Sequence, residues 1–167
     1  MKRVVYWDSD AFLQIINRDG TPEQLQGCDD VWTACQKGTT HIITSTLTVA
    51  EVIHKRGVIK MDPVHRPLVN NFFRQSFISL KPLTREIAEL ARDVVWDSNI
   101  LAKDAVHVAT CGYFRYRELH SFDKNLVGKG EILVNGFAIT VKNPYAQQQA
   151  EISFVPKDEE DEDETEA

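Results

Sequence analysis

The sequence is poor in features that settle a protein's class quickly. It has three cysteines in 167 residues, an odd number with no close pair: Cys28 and Cys35 are seven apart, and Cys111 is distant. That excludes a disulfide framework and leaves a zinc site without the short Cys or His pair it needs. Leu25, Cys28, Trp32 and Cys35 share one helical face, so the thiols read as reduced core residues. No apolar run approaches the roughly 18 residues that a membrane helix requires. The opening MKRVVYWDSDAFL meets acids after four apolar residues, which does not read as a signal peptide. Reduced thiols and the lack of a membrane segment point to the cytoplasm. No internal repeat is visible.

An excess of positive charge is missing too. The formal net charge is −6, from 19 Lys plus Arg against 25 Asp plus Glu. Its placement is uneven. The last stretch, KDEEDEDETEA from Lys157, holds eight acids and one base, so residues 1–156 carry about +1. A basic protein that coats nucleic acid is excluded, and any contact with a polyanion has to be local or metal-mediated. The organisation expected is one domain over residues 1–145 and a C-terminal extension, 146–167, with a small Ile152-Ser153-Phe154-Val155 patch and a disordered acidic tail.

What is present is an alternation of short apolar runs and helical periods. Val4–Trp7, His41–Thr44, Phe77–Leu80, Glu118–Phe122 and Phe137–Val141 read as strands. Asp10–Asn17, Pro22–Lys37, Thr46–Arg56 (stopped by Gly57), a segment near Pro63–Gln75, Thr84 to about Trp96, and Ala102–Tyr116 read as helices. Apolar residues surround much of the last one, so it is expected to be covered on most sides. Phe72, Phe73 and Phe77 are assigned to the core. Alternating strands and helices imply an α/β fold: a three-layer α/β/α sandwich around a mainly parallel sheet.

Four acids sit where a core does not want them. Asp8 and Asp123 each end a strand, so both are expected in the crevice outside the carboxyl ends of the sheet. Glu51 interrupts the apolar run Val49-Ala50…Val52-Ile53, and Asp104 opens the most buried helix. Each has an ordinary explanation. Asp104 would favour a helix dipole, Glu51 a solvated face, Asp8 a helix cap, and Asp123 a turn with Lys124-Asn125. Separate explanations do not account for the shared pattern. Gathered carboxylates repel, and a hard divalent cation with oxygen ligands relieves that repulsion. Mg²⁺ or Mn²⁺ fits, and such a centre hydrolyses phosphodiesters through bound water.

The order VVYWDSDAFL, TSTLTVAEVI, LAKDAVHVAT and LHSFDKNL resembles the PIN-domain ribonucleases, especially their VapC-type toxin branch, over roughly residues 2–145. The resemblance implies a Mg²⁺- or Mn²⁺-dependent endoribonuclease, a hydrolase. In it Asp8, Glu51, Asp104 and Asp123 are the catalytic, metal-holding acids. Ser9 and Ser121 match supporting positions. Asp10 departs from the usual Asn or Ser, and either caps the next helix or adds a carboxylate. His107, one turn past Asp104, is within reach of that acid, though a histidine here usually packs in the core. Lys124, Lys129, Arg115 and Arg117 are candidate RNA contacts near Asp123, and Lys55-Arg56 is another basic pair. The implied partners are an RNA substrate, a small antitoxin and a second copy of the chain. Three alternatives remain: a non-catalytic RNA- or protein-binding module, a haloacid-dehalogenase-like phosphatase built on Asp8-Ser9-Asp10, and a nuclease acting on DNA flaps, for which the chain lacks the usual large insertions. The phosphatase lacks its late Gly-Asp motif, since no Gly-Asp dipeptide occurs.

Overall fold

The computed structural model describes residues 2–53 and 60–145. Lys55-Arg56, Gly57 and the whole extension from residue 146 lie outside the described residues. The chain runs β1 (Arg3–Trp7), α1 (Ser9–Asn17), α2 (Pro22–Gln36), β2 (Thr40–Ser45) and α3 (Thr46–Glu51). A 3₁₀ turn (Pro63–His65) leads into α4 (Arg66–Phe73) and β3 (Ile78–Lys81). Then come α5 (Arg85–Ser98), α6 (Ala102–Tyr113), β4 (Glu118–His120), α7 (Lys124–Val127), β5 (Glu131–Val134) and β6 (Phe137–Lys142).

The six strands form one sheet in the order β3-β2-β1-β4-β6-β5. Every pairing is parallel except β5 with β6. The alternation of side chains divides β1 between two cores. Val5 and Trp7 face a layer holding Phe12, Cys28, Val31 and Cys35. Tyr6 faces the other, holding Ile87, Ala91, Val94, Ala105, Val108 and Cys111. Helices α1, α2 and α4 therefore cover one face and α5 with α6 the other, which is the expected three-layer sandwich. All three thiols are buried and unpaired. Phe77 is in the core, and Phe72 and Phe73 pack against it.

Local signals explain most boundaries. Thr21 and Gln24 form a reciprocal capping box, and Pro22 occupies the first turn of α2. Thr84 caps α5 through the N–H of Ile87. Three expectations need correction. Helix α3 ends at Glu51, with Val49 and Ile53 exposed, so that run is less apolar in place than in sequence. Helix α6 ends at Tyr113 because Arg115 takes a left-handed turn, φ 61°. Strand β5 was not expected. Asn135-Gly136, both with positive φ (49° and 74°), makes the two-residue hairpin turn joining it to β6. Among the described residues no helix is long and apolar enough to cross a membrane.

Candidate functional site

Strand order reverses direction around β1: β2 and β3 lie on one side, and β4, β6 and β5 on the other. A crevice forms outside the carboxyl ends of β1 and β4 at such a switch point. Asp8 follows β1 directly, and Asp123 comes three residues after the end of β4, which stops at His120 rather than at the expected Phe122. Both are helix caps as well. One carboxylate oxygen of Asp8 accepts the N–H of Ala11 at 3.1 Å, and one of Asp123 accepts that of Leu126 at 2.9 Å. Capping occupies one oxygen of each acid and fixes its orientation. The cap expected of Asp8 is thus present, Asp123 caps a short helix where a turn with Lys124-Asn125 was expected, and both keep a second oxygen for other work.

Ser121 joins the two strand ends. Its hydroxyl accepts the backbone N–H of Asp123 at 3.0 Å and stands near enough to Asp8 to act against the rise of its pKa. Ser9, buried at the start of α1, acts in the same direction on Glu51. The last residue of α3, Glu51, is tied to His107, whose Nε2 lies 3.0 Å from Oε2. His107 is core, as expected, yet it serves Glu51 rather than Asp104. Lys103 Nζ stands 3.8 Å from the other Glu51 oxygen. Lys103 escaped the sequence reading. Its only signal was a position beside Asp104 at the start of α6.

The electrostatics bring five carboxylates into one neighbourhood. Asp8 is 4% exposed, and burial with the nearby charge of Asp10 pushes its pKa up to about 7. Asp10 is raised by partial burial, against the pull of Lys103, with Asp123 and Glu51 adding repulsion. Asp104 is raised by partial burial, then by the charge of Asp123. Glu51 is held below the usual carboxylate range. Burial acts to raise it, but the hydrogen bond from His107, the charge of Lys103 and the Ser9 hydroxyl outweigh that. Asp8, not Asp10, caps α1. Asp10 instead adds a fifth negative charge to the cluster.

Three acids raised by burial and mutual repulsion are a donor set that a hard cation would relieve. Among the described residues no three carboxylate, imidazole or thiol groups stand close enough to hold one ion directly. That is compatible with Mg²⁺, which keeps several waters and takes one or two carboxylates. It is not the closed cage of a structural ion. The donor set fits a hydrated, hard divalent ion and does not fit zinc.

The candidate RNA contacts separate into two groups. Lys124 and Lys129 follow Asp123 and are exposed beside the crevice end of the sheet. Arg115 and Arg117 precede β4, so a strand length separates them from Asp123. Their guanidinium groups stack on Phe137, 5.1 and 4.9 Å from the ring centre. Their nearness to Asp123 in sequence is not nearness to the site, because β4 runs between them and carries the chain from one end of the sheet to the other.

No protein-family model matches the sequence, and no curated protein matches it. Solved structures do match. VapC20 of Mycobacterium tuberculosis, described as a toxin that cleaves the sarcin–ricin loop, aligns with TM-score 0.57 and 12% identity. The alignment covers 75% of this chain and 95% of that one. A toxin–antitoxin complex from Klebsiella pneumoniae aligns with TM-score 0.54 and 16% identity over 86% of this chain and 99% of that one. VapBC2 of Rickettsia felis, bound to a DNA fragment from its promoter, aligns with TM-score 0.57 and 10% identity over 84% and 98%. At such identities the likeness is one of fold.

Proposed function

We propose that this chain, which has the fold of VapC toxins, is a metal-dependent endoribonuclease and the toxin of a toxin–antitoxin pair. One observation carries the reading. Asp8, Asp10, Glu51, Asp104 and Asp123 are held in one electrostatic neighbourhood at the switch point of the sheet, and burial and repulsion raise three of them. A stable protein does not gather desolvated like charges unless a cation or a reaction uses them.

In this reading Asp8, Asp104 and Asp123 hold Mg²⁺ or Mn²⁺, partly through water, with Asp10 adding charge. The ion, when bound, polarises the phosphodiester and lowers the pKa of water. The chain's residues do the rest. Glu51 stays ionised and accepts a proton from the attacking water. Lys103 and Lys124 offer ammonium groups to RNA phosphates at the mouth of the crevice. Ser121 and Ser9 keep Asp8 and Glu51 oriented. The partners proposed are RNA, a small antitoxin and a second copy of the chain. Residues 1–145 form the nuclease unit, acting in the cytoplasm.

The test is cleavage of structured RNA with Mn²⁺, with and without EDTA, beside Asp104→Asn. Wild type should cut only without chelator, and the variant should lose at least about 100-fold in rate. Equal cleavage by Asp104→Asn would sink the assignment. The wide spacing of the acids favours one alternative, a binding module with an idle centre. RNA binding without cleavage in any metal would establish it.

A further inference from the structure

Glu51 has a conformational problem that its neighbours do not share. Asp8 and Asp123 are short, and backbone N–H groups fix them. Glu51 is longer, ends a helix of only six residues, and has several rotamers to lose. Lys103, the nearest cation among the described residues, is 62% exposed and tethers it weakly.

What constrains Glu51 comes from the core. His107 is 2% exposed, on the face of α6 turned to the sheet, with Nε2 3.0 Å from the Glu51 carboxylate. Its Nδ1 lies 2.8 Å from the hydroxyl of Tyr6, a fully buried residue of β1, and the two rings are 5.8 Å apart. The directions follow from chemistry. A carboxylate only accepts, so Nε2 carries the hydrogen. Nδ1 of the neutral ring is then a lone pair, and the phenol donates to it. Thr44 of β2 and Thr110 of α6 stand close enough to act on the Tyr6 hydroxyl, but their own hydroxyls donate to the carbonyls of Trp7 and Val106, each at 2.7 Å. The chain of bonds therefore runs from β1 through α6 and leads out to Glu51.

Packing alone does not require this. Apolar residues would fill the space beneath α6 without burying three polar groups, which is expensive unless every one is satisfied. We propose that Tyr6 and His107 are positioning residues that set the direction of the Glu51 carboxylate toward the acidic crevice. Tyr6 fixes the ring tautomer, and His107 fixes the carboxylate. The inference rests on the reading of the crevice as a hydrolytic metal centre.

The test uses the full chain with three readouts: RNA cleavage, Mn²⁺ affinity by electron paramagnetic resonance, and melting temperature. His107→Leu should lose 10- to 100-fold in kcat, with KM little changed, and roughly 10-fold in Mn²⁺ affinity. His107→Gln keeps a donor near the Nε2 position and should recover most of both. In a Glu51→Gln background, His107→Leu should add nothing. An undiminished loss there would mean that the effect runs through the fold, and the proposal falls. It falls too if the Leu variant matches wild type. Should His107→Leu fail to fold, Tyr6→Phe removes one hydroxyl at constant shape. It should weaken both readouts about 3- to 10-fold, and no change in either overturns the role. If wild type cuts no RNA, the nuclease reading fails, and the same cycle scored on Mn²⁺ affinity decides the positioning role. The ¹⁵N spectrum of the metal-free protein offers an independent check: His107 should carry hydrogen on Nε2, and a proton on Nδ1 would overturn the chain.

Discussion

The indole N–H of Trp7 donates to Nδ1 of His120 across 3.1 Å. An indole cannot accept, so this ring must be neutral there and carry its hydrogen on Nε2. That hydrogen points at Glu118, 2.8 Å away, and Arg3 pairs with the same carboxylate oxygen. Burial lowers the pKa of His120. Glu118 is pulled down to about 2, because the hydrogen bonds of His120 and Arg3 and the charge of Arg3 outweigh its burial. Both shifts have the same sign for stability. Below the ordinary histidine pKa the unfolded chain takes a proton that folded His120 resists. Below about pH 4.5 it takes another that Glu118 resists. The contribution of this trio to stability should therefore fall in two steps with acid, one from about pH 6.5 downward and one between about 4.5 and 2, while the raised Asp8, Asp10 and Asp104 contribute with the opposite sign between about pH 7 and 4. Urea titrations of wild type beside Glu118→Gln across that range isolate the lower step. In Glu118→Gln the lower step should shrink, with roughly 3 kcal/mol lost at neutral pH as Arg3 keeps its charge without a carboxylate.

The metal-free crevice should be a source of instability. Asp104 is raised by burial and by the charge of Asp123, so removing its charge relieves repulsion. Asp104→Asn should melt a few degrees higher than wild type without metal, a gain of about 1 kcal/mol. Mn²⁺ should raise the melting temperature of wild type more than that of the variant, and EDTA should reverse both rises. A variant that melts lower than metal-free wild type would show that Asp104 is structural.

Loading with a divalent cation should release protons. Burial and Asp10 push Asp8 up to about 7, and only the carboxylate can bind an ion. At pH 7 roughly half a proton should leave Asp8 per ion bound, more at pH 6 and almost none above about pH 9. Calorimetry in two buffers of different ionisation heat measures this directly. In Asp8→Asn the buffer dependence should shrink with the affinity.

Helix α6 and the hairpin should prove to be fitted through Gly112. A Cβ at that position would lie 2.5 Å from Cγ1 of Val134. Gly112→Ala should cost about 1–3 kcal/mol despite the better helix propensity of alanine. Val134→Ala makes room, so the double variant should be less impaired than the two single losses together predict. Strict additivity in urea titrations would show that the two residues do not touch.

How much of this was legible depends on the range of each signal. The parallel strands announced themselves as short apolar runs, and the caps at Thr21 and Thr84 are local. The place of Asp8 and Asp123 at the crevice end of the sheet was legible because the end of a strand is a local fact with a topological meaning. Strand β5 was missed although Asn135-Gly136 is a strong hairpin signal; Glu131 and Leu133 face outward, so the alternation is weak there. His107 looked like core or a partner of Asp104. Its bond to Glu51 joins residues 56 apart in sequence, and no pattern along one helix shows that. Arg115 and Arg117 looked near Asp123 for the converse reason: closeness along a strand runs in only one dimension.

That last point has a consequence for substrate binding. Lys103 is exposed at the crevice, 3.8 Å from Glu51, and its charge acts on Asp10 and Asp104. An ammonium there partly offsets the cluster and faces whatever polyanion approaches it. Arg115 and Arg117 stack on Phe137 at the other end of β4. Lys103→Ala should therefore raise KM for RNA about 3- to 10-fold, with a shallower dependence on salt, as expected for one lost phosphate contact. Lys124→Ala should act in the same direction. Arg115→Ala and Arg117→Ala should change KM by less than about 2-fold and act mainly on stability, since each loses a cation–π contact worth about 0.5–1 kcal/mol. The reverse ranking in KM would place the RNA path along the amino end of β4, and the crevice would then have to meet its substrate from the opposite side.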